Sequence, residues 1–358
     1  MMEKKTIQLI ETLSNANGVS GFEEDVVEIV KEELSDYGTF TMDHMLNCSI
    51  QSPKNTKTKP IVMIDAHSDE VGFMVQAIKP NGTIRFIPIG SWVPSNVAAH
   101  TVLIRNNNGS YIRGIIASCP PHFMSAEAQG RAVTIDDMVI DVGTSSYQET
   151  IDHYHIGIGN PIVPDVKFDY NEETGILFGK AFDCRIGVAC MIESFKELSQ
   201  KDLAVDIVAS LSTQEEIGLR GARVAVQEIQ PDVAIIFEGC PADDTFTEDW
   251  LIQSAIRKGP MLRHIDVSMI TNPRFQRFAL DIARKYNIPV QQSVRKGGGT
   301  NGGSISAHRK GVPCIVMGIP VRYSHTHYGY VAKEDYEAAK ELTIKIIETL
   351  NKEIIDTL

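Results

Sequence analysis

The chain has 358 residues, of which 43% are hydrophobic and 22% charged, values typical of a globular protein with room for two domains. Its formal net charge of -12 disfavours nucleic acid as a partner, because proteins that bind nucleic acid are expected to present a basic surface. The sequence has no apolar run long enough to span a membrane, and its six cysteines form no CxxC pair. The N-terminus leads into an amphipathic pattern and not into a long apolar segment, so we expect a cytoplasmic protein.

Two helices and a strand are predicted in the first 70 residues. Apolar residues recur at helical spacing over 5–18 and 22–36, and the segment 20–24 has the small polar residue and the acids of a helix start. An apolar run then predicts a buried strand over 61–67. The end of this strand delivers the segment 65–70, with sequence DAHSDE, to one edge of a sheet, where active sites of α/β proteins usually lie.

The middle of the chain changes to short alternating runs separated by turn residues. Pro80-Asn81-Gly82 and Asn107-Asn108-Gly109 each lie between two such runs, and Asn-Gly in this position predicts a β-hairpin. From about residue 175 strands and helices alternate again, and this alternation predicts a largely parallel, mixed sheet flanked by helices. We therefore predict one α/β domain formed by 1–70 and 165–358, interrupted by a small β-rich domain at 71–164.

The predicted elements of the second half are helices over 186–198, 219–229, 272–286 and 333–351, and strands over 205–211, 233–237 and 312–319.

His67 is the first candidate metal ligand, because it ends a buried strand and offers a neutral ring nitrogen. Asp69, two residues further on, is placed to hold that imidazole from behind, as ligating histidines usually require.

Carboxylates at three other junctions are candidate ligands as well, and each has a simpler interpretation. Asp183 precedes a predicted helix, so it is either an N-cap or a ligand whose two oxygens bridge two cations. Glu215 and Glu216 are either a solvated helix start or a pair in which one ligates metal and the other accepts a proton. Glu238 closes an apolar strand and is either a surface residue or a ligand.

Two histidines, His325 and His327, follow the last predicted strand. Residues at i and i+2 share one face of an extended chain, but a turn after the strand would break this alternation. We therefore count only His325 as a candidate ligand, and an ordinary surface histidine is the alternative. The glycine-rich segment 296–303 lacks the patterns of nucleotide-binding loops, so we expect its backbone to approach a substrate or a wall of the site.

The candidate donors give one histidine to each of two cations, one bridging carboxylate and one terminal carboxylate per cation. Such mixed nitrogen and oxygen ligation suits Zn²⁺ or Co²⁺, and also Mn²⁺. Glu215 is then the candidate general base for a water shared by the two cations. The candidate ligands are His67, Asp183, Glu216, Glu238 and His325.

The chain resembles the M42 family of metallo-aminopeptidases, the glutamyl and tetrahedral aminopeptidase group. The resemblance runs from about residue 7 to residue 345 and rests on the order of six motifs: AHSDEVGF, KAFDCRIG, STQEEIGLRGA, IIFEG, GGGTNGG and PVRYSHTHYG. It implies a zinc-peptidase-like catalytic domain with a PDZ-like or barrel-like insert that mediates assembly into a homo-oligomer, often a dodecamer. It also implies the ligand set above, with Asp183 as the bridge, Glu215 as the base and Asp69 as the support of His67.

This chain departs from the family pattern at four positions. Glu238 stands where the family commonly has aspartate, and Cys184 stands where aspartate or asparagine commonly follows the bridging residue. Asn301 replaces the aspartate of a GGTD motif, and His327 lies within a segment that is commonly HSPVE. The last two changes are expected near the substrate, where His327 would contact it or lie at the rim.

The leading functional prediction is a dinuclear aminopeptidase that acts on short peptides. A metal-dependent amidase, deacylase or carboxypeptidase is the alternative within hydrolases, and a blocked substrate amino group would distinguish it. An assembly protein with a remnant of the site is the alternative outside enzymes, and metal analysis would distinguish that.

Overall fold

The structure is a computed structural model that describes residues 2–126 and 130–358, so part of the predicted insert, residues 127–129, lies outside the described residues. Strands form an eight-stranded sheet, a three-stranded sheet and a closed six-stranded barrel, which confirms the predicted mixed α/β fold with a small β-rich unit. The helices are α1 Met2–Asn15, α2 Glu24–Leu34, α3 Tyr147–Asp152, α4 Phe182–Leu198, α5 Arg220–Ile229, α6 Pro273–Tyr286, α7 Gly302–Ser306, α8 Lys333–Thr349 and α9 Lys352–Ile355.

The strands up to the end of the barrel are β1 Thr39–Met42, β2 Cys48–Gln51, β3 Ile61–His67, β4 Gly72–Ile78, β5 Ile84–Ile89, β6 Thr101–Arg105, β7 Tyr111–Ala117, β8 Val139–Asp141 and β9 Pro161–Pro164. The later strands are β10 Asp169–Asn171, β11 Ile176–Gly179, β12 Asp206–Ser212, β13 Val233–Pro241, β14 Met261–Ile265, β15 Gln291–Val294, β16 Cys314–Val321 and β17 Gly329–Ala332.

The large sheet has the order β1-β2-β12-β3-β13-β16-β14-β15. Its four central strands, β12, β3, β13 and β16, run parallel, so their carboxyl ends meet at one edge. The register places Ser212 beside His67 and Glu238 beside Gly318. This edge therefore collects the segments that follow each strand, in the position where α/β sheets usually bind ligands.

Continuous apolar sequence builds this sheet, because its central strands are covered on both faces. Strands β12 and β16 are buried along their whole length, as is typical of parallel sheets between helices. Helix α4 packs within the main core and buries every residue from Gly187 to Ile192. The sheet edge is therefore a rigid platform for the side chains that it carries.

The barrel has the order β4-β5-β8-β7-β6-β9 and lies between Gly72 and Pro164. Both predicted hairpins are present, as the antiparallel pairs β4-β5 and β6-β7. Phe73, Ile104 and Ile162 are among the residues of a separate apolar core inside it. Closure of the barrel leaves no open strand edge, which is one way in which β-structures avoid unwanted pairing.

Most predicted elements occur close to their expected bounds, but helix α4 begins at Phe182, four residues before the predicted start at residue 186. Within the described residues, no helix is both long enough and apolar enough to cross a membrane. Several short elements have no counterpart in the sequence prediction, namely the strands β1, β2, β8, β9, β10, β11, β14, β15 and β17 and the helices α3, α7 and α9.

Candidate metal centre

All five candidate ligands meet at the carboxyl edge of the central strands. His67 ends β3, Glu238 lies in β13, and Glu216 and His325 lie in the turns after β12 and β16. Asp183 lies in the first turn of α4, which crosses this edge. The five side chains, far apart in the sequence, come from five different segments of the fold.

Asp183 lies between the two histidines and faces one with each carboxylate oxygen. Its Oδ1 is 3.1 Å from His67 Nε2, and its Oδ2 is 3.3 Å from His325 Nε2. Glu238 Oε1 is 3.3 Å from His67 Nε2, and Glu216 Oε1 is 3.7 Å from His325 Nε2. The donors thus form two neighbouring groups that share Asp183.

Asp183 is not an N-cap, which removes the simpler interpretation of this residue. The cap position of α4 is Ala181, with a left-handed φ of 55°, and Asp183 itself has non-helical backbone angles. The peptide bond from Asp183 to Cys184 is cis. Ser324 donates a hydrogen bond from Oγ to Asp183 Oδ2 at 3.0 Å, so the carboxylate is fixed from the side of the His325 turn.

His67 is fully buried and is held through its second ring nitrogen. Its Nδ1 lies 3.1 Å from the main-chain oxygen of Asp69 and 3.4 Å from Asp69 Oδ1. Both contacts leave Nε2 directed at Asp183 and Glu238. Asp69 therefore contacts the ring nitrogen that faces away from the donor group, and the shorter of its two contacts is made by the backbone.

The carboxylate of Asp69 also positions the two adjacent glutamates. Its Oδ1 accepts the main-chain N–H of Glu215 at 2.9 Å, and its Oδ2 accepts that of Glu216 at 3.1 Å. Ser20 donates from Oγ to the same Oδ2 at 2.5 Å. Neither glutamate is a solvated helix start, since both side chains are directed into the cluster and largely buried.

His325 is oriented by the barrel part of the chain. Its Nδ1 lies 2.9 Å from the main-chain oxygen of Ser91, in the segment that connects β5 and β6. His325 has a left-handed φ of 60°, and Tyr323 one of 63°, so the chain turns sharply after β16. This turn breaks the alternation of the strand, as predicted, and separates His325 from His327.

His327 does not reach the site, which corrects the expectation that it contacts substrate or lies at the rim. Its ring is buried and stacked on His100 with 4.1 Å between centroids, and Trp92 makes an edge-to-face contact with it at 5.1 Å. Burial lowers the pKa of His327 to about 3, so this ring is neutral. Asn301, also expected near the substrate, is buried and donates to Asp65 Oδ2 at 2.8 Å.

The buried carboxylates of the site lie close together, so their negative charge is costly unless positive charge lies beside them. Burial, together with repulsion from Asp183, raises the pKa of Glu216 to about 8 and that of Glu238 to about 7. Burial opposes protonation of His325, but Glu216 and Asp183 outweigh it and raise its pKa to about 10. Glu238 Oε2 is buried and has no hydrogen-bond partner. Two divalent cations would compensate this charge and satisfy this oxygen, so the donor set fits them.

A cleft of ≈ 440 Å³ opens beside the two donor groups. Glu215 lines it together with Glu216, Glu238 and His325, and Gly297, Gly298 and Gly299 form another part of its wall. Added Cβ atoms at Gly297 and Gly298 would meet no neighbouring atom within 4 Å, so this wall faces open space, as expected for the glycine-rich segment. Arg263 and Arg295 lie in the same lining.

Sequence reasoning missed three contributors, for three different reasons. Ser20 belongs to a segment interpreted as a helix start, but its hydroxyl binds Asp69 and does not cap α2. Ser91 acts through its main-chain oxygen, which any residue type provides. Cys184 has its sulfur within a group of four donor atoms that also includes His67, Asp183 and Glu238. Cys184 is one of the four departures from the family pattern, but its thiol is not among the donors predicted from the sequence.

The chain is similar to known peptidases over nearly its whole length. The profile of the M42 glutamyl aminopeptidase family matches residues 47–342. The chain is 30% identical to the glutamyl aminopeptidase of Lactococcus lactis subsp. cremoris, over 96% of each chain. It is 31% identical to the lysyl aminopeptidase of Pyrococcus furiosus, over 96% of this chain and 97% of the relative.

A solved structure agrees with these sequence relatives. The TET aminopeptidase from the marine sediment archaeon Thaumarchaeota archaeon SCGC AB-539-E09 superposes with a TM-score of 0.96 at 33% identity, over 100% of this chain and 99% of that chain. The chain therefore belongs to the M42 peptidase family, and it is a hydrolase that acts as an aminopeptidase.

Proposed function

We propose that this aminopeptidase is dinuclear and that it removes N-terminal residues from short peptides. The observation that carries the proposal is the position of Asp183, with one oxygen 3.1 Å from His67 and the other 3.3 Å from His325. A carboxylate between two histidines, each accompanied by its own glutamate, is the arrangement that two neighbouring cations require.

In this proposal His67 and Glu238 would hold one cation, His325 and Glu216 would hold the other, and Asp183 would contribute a ligand to both. The mixed nitrogen and oxygen donors favour Zn²⁺ or Co²⁺, with Mn²⁺ as a further candidate. The cations, when bound, supply Lewis acidity that polarises the scissile carbonyl and makes the attacking water more acidic.

Glu215 is the proposed general base. It lines the cleft next to Glu216, and its main-chain N–H is fixed by Asp69. Its carboxylate takes a proton from the attacking water and later delivers it to the leaving amine nitrogen, so the proton count balances over one turnover. Asp69 acts as a positioning residue for Glu215 and Glu216 as well as for His67.

A carboxylate at the cleft also suits the end of the peptide that an aminopeptidase must recognise. Such a carboxylate attracts a free α-ammonium group, whereas an acylated amino group carries no charge for it to attract. The relatives named glutamyl and lysyl aminopeptidase match this chain about equally, at 30% and 31% identity. A substrate panel should therefore span acidic, neutral and basic N-terminal residues.

The test is Glu215→Gln. We expect the variant to retain two cations per chain but to lose at least about 100-fold in kcat, because the proton acceptor is removed and the proposed ligands are not. Metal content by plasma mass spectrometry and hydrolysis of amino-acid p-nitroanilides measure the two effects. Peptide hydrolysis at the wild-type rate would show that Glu215 is not the base, and equal turnover of N-acetylated substrates would contradict exopeptidase action.

We also propose that residues 1–70 and 165–358 form the catalytic domain and that the insert at 71–164 mediates assembly into a homo-oligomer. The barrel has its own apolar core and still exposes apolar side chains, with Ile115 53% and Ile158 77% exposed. Such side chains are candidates for burial between subunits. A dodecamer is the form that the family resemblance implies.

A further inference from the structure

We propose that Cys184 supplies a thiolate ligand to the cation held by His67 and Glu238, and that it favours Zn²⁺ and Co²⁺ over Mn²⁺ in that position. The inference rests on the proposed dinuclear centre and adds to it a donor of a different chemical kind.

The first support is the geometry of the donor atoms. One donor atom from each of His67, Asp183, Cys184 and Glu238 lies within 4.8 Å of the other three. Within this group, His67 Nε2 is 3.1 Å from Asp183 Oδ1 and 3.3 Å from Glu238 Oε1. A catalytic Zn²⁺ usually has three protein donors and a water and can expand to five-coordinate, so a fourth protein donor still leaves a position for water.

The second support is an unsatisfied oxygen in the same group. Glu238 is only 4% exposed, and its Oε2 has no hydrogen-bond partner. A buried carboxylate oxygen is costly without a partner, so this side of the group is suited to a cation. The sulfur of Cys184 lies within 4.8 Å of one oxygen of this same carboxylate.

The absence of a side chain at Gly187 leaves room for the sulfur of Cys184. A Cβ placed on Gly187, one turn further along α4, would lie 2.4 Å from Cys184 Sγ. The neutral thiol donates to the main-chain oxygen of Phe237 at 3.4 Å. When a cation binds, the thiol proton passes to solvent and the sulfur exchanges this hydrogen bond for a bond to the metal.

The chemical consequence is a change in metal preference. Without Cys184 the group offers one imidazole and two carboxylates, which also suit the harder Mn²⁺. A thiolate is soft and binds Zn²⁺ and Co²⁺ much better than Mn²⁺. The two cations of the centre would then differ in affinity, with the one beside Cys184 held more selectively.

The experiment uses the full-length protein loaded with two equivalents of Co²⁺. A thiolate bound to Co²⁺ gives an intense sulfur-to-cobalt charge-transfer band in the near ultraviolet, in addition to the weak visible bands. We expect this band in the wild type and in Cys190→Ser, and we expect it to disappear in Cys184→Ser. Cys190 is the matched control, because it is buried on the same helix and belongs to none of the donor groups found among the described residues.

A second measurement needs no variant. X-ray absorption at the zinc edge of the wild-type protein with two Zn²⁺ should show sulfur at about 2.3 Å, at about half a sulfur per zinc.

A third measurement is metal affinity. Mutation of a residue that only hydrogen-bonds to a metal ligand typically costs 10–100-fold in metal affinity. Cys184→Ser removes a direct ligand, so we expect it to weaken Zn²⁺ binding at one position by about tenfold or more and to change Mn²⁺ binding little.

The outcomes separate this inference from the proposed function. Two bound Co²⁺ ions with visible bands but no charge-transfer band would overturn the role of Cys184 and leave the dinuclear centre intact. A charge-transfer band that survives in Cys184→Ser would equally overturn it. Failure of the wild type to bind a second divalent cation would overturn the dinuclear centre, and this inference with it.

Discussion

At the scale of single residues, carboxylates in and around the site are buried, and burial disfavours their charged form. Glu23 is an example outside the ligand set. It is fully buried, its Oε1 accepts the main-chain N–H of Gln214 at 3.0 Å, and its Oε2 has no partner. Burial and then repulsion from Asp69 raise the pKa of Glu23 to about 7.

The raised pKa of Glu23 predicts that the free energy of unfolding depends on pH. The folded state holds the Glu23 proton more tightly than the unfolded state, so the free energy of unfolding falls as the pH rises from about 4.5 to about 7 and is then constant. Glu23→Gln keeps the acceptor but removes this titration. We expect its stability advantage over the wild type to grow between pH 5 and pH 8, by at most about 3 kcal/mol.

Urea unfolding of the metal-free protein at pH 5 and pH 8 measures the effect. Glu24→Gln is the control, because Glu24 is the neighbouring carboxylate and is exposed. Equal dependence on pH in the wild type and in Glu23→Gln would contradict the assignment.

The candidate ligands could be predicted from sequence because each lies next to a strong local signal. His67 ends a buried apolar strand, and Glu238 directly follows the apolar run of β13, although that strand continues to Pro241. Charge in such a buried place is unusual. Ser20 and Ser91 could not be predicted in the same way. A hydroxyl before a helix usually caps it, and a main-chain oxygen has no sequence signature.

At the scale of elements, the segment between β5 and β6 connects the barrel to the metal centre. Gly90 has a left-handed φ of 76°, and a Cβ on it would lie 2.6 Å from Val71 Cγ1 and 3.1 Å from Glu216 Oε2. The next residue, Ser91, accepts from His325 Nδ1–H at 2.9 Å in the tautomer that leaves Nε2 for a cation. The glycine is therefore required for both the turn and the close approach.

We predict that Gly90→Ala weakens the cation at His325 and Glu216 by about 10–100-fold, because the carbonyl that orients His325 would have to move. Isothermal titration calorimetry with Zn²⁺ should detect one tight and one weakened site. Gly109→Ala is the matched control, since Gly109 has a similar φ of 80° but no atom within 4 Å of the added Cβ. Identical metal binding in both variants would contradict a role for this segment in the site.

The elements that sequence reasoning recovered are those with a long or strongly periodic apolar signal. Strands β3, β12, β13 and β16 read as continuous apolar runs because helices cover both faces of the sheet. Strands β1 and β10 have only four and three residues and are largely exposed, so no apolar period marks them. The first turn of α4 escaped prediction because its backbone bends at Asp183 and Cys184 to form part of the site.

At the scale of the whole molecule, parallel strands explain how residues from 67 to 325 reach one place. Strand ends that are adjacent in the sheet are adjacent in space, whatever their separation in sequence. The order of strands in the sheet was not predicted, because each crossover depends on contacts between distant segments. Local patterns therefore identified the parts, and the tertiary structure decided which parts became neighbours.

Assembly through the barrel leads to a prediction at this scale. Replacing Ile115 and Ile158 together by aspartate places charge on exposed apolar positions of the insert and should shift the protein to smaller species. Native mass spectrometry measures this shift. Phe246→Asp is the control, because Phe246 is 84% exposed but lies in the proposed catalytic domain. Loss of assembly in the control alone would place the subunit contacts elsewhere.

The contact between Ser91 and His325 has a consequence for any attempt to make a smaller enzyme. Excising the barrel and rejoining its two attachment points would preserve every proposed metal ligand and the general base. The truncated chain would nevertheless lack the acceptor that fixes one imidazole. A working minimal peptidase built on this scaffold would need a replacement carbonyl or carboxylate grafted beside that ring.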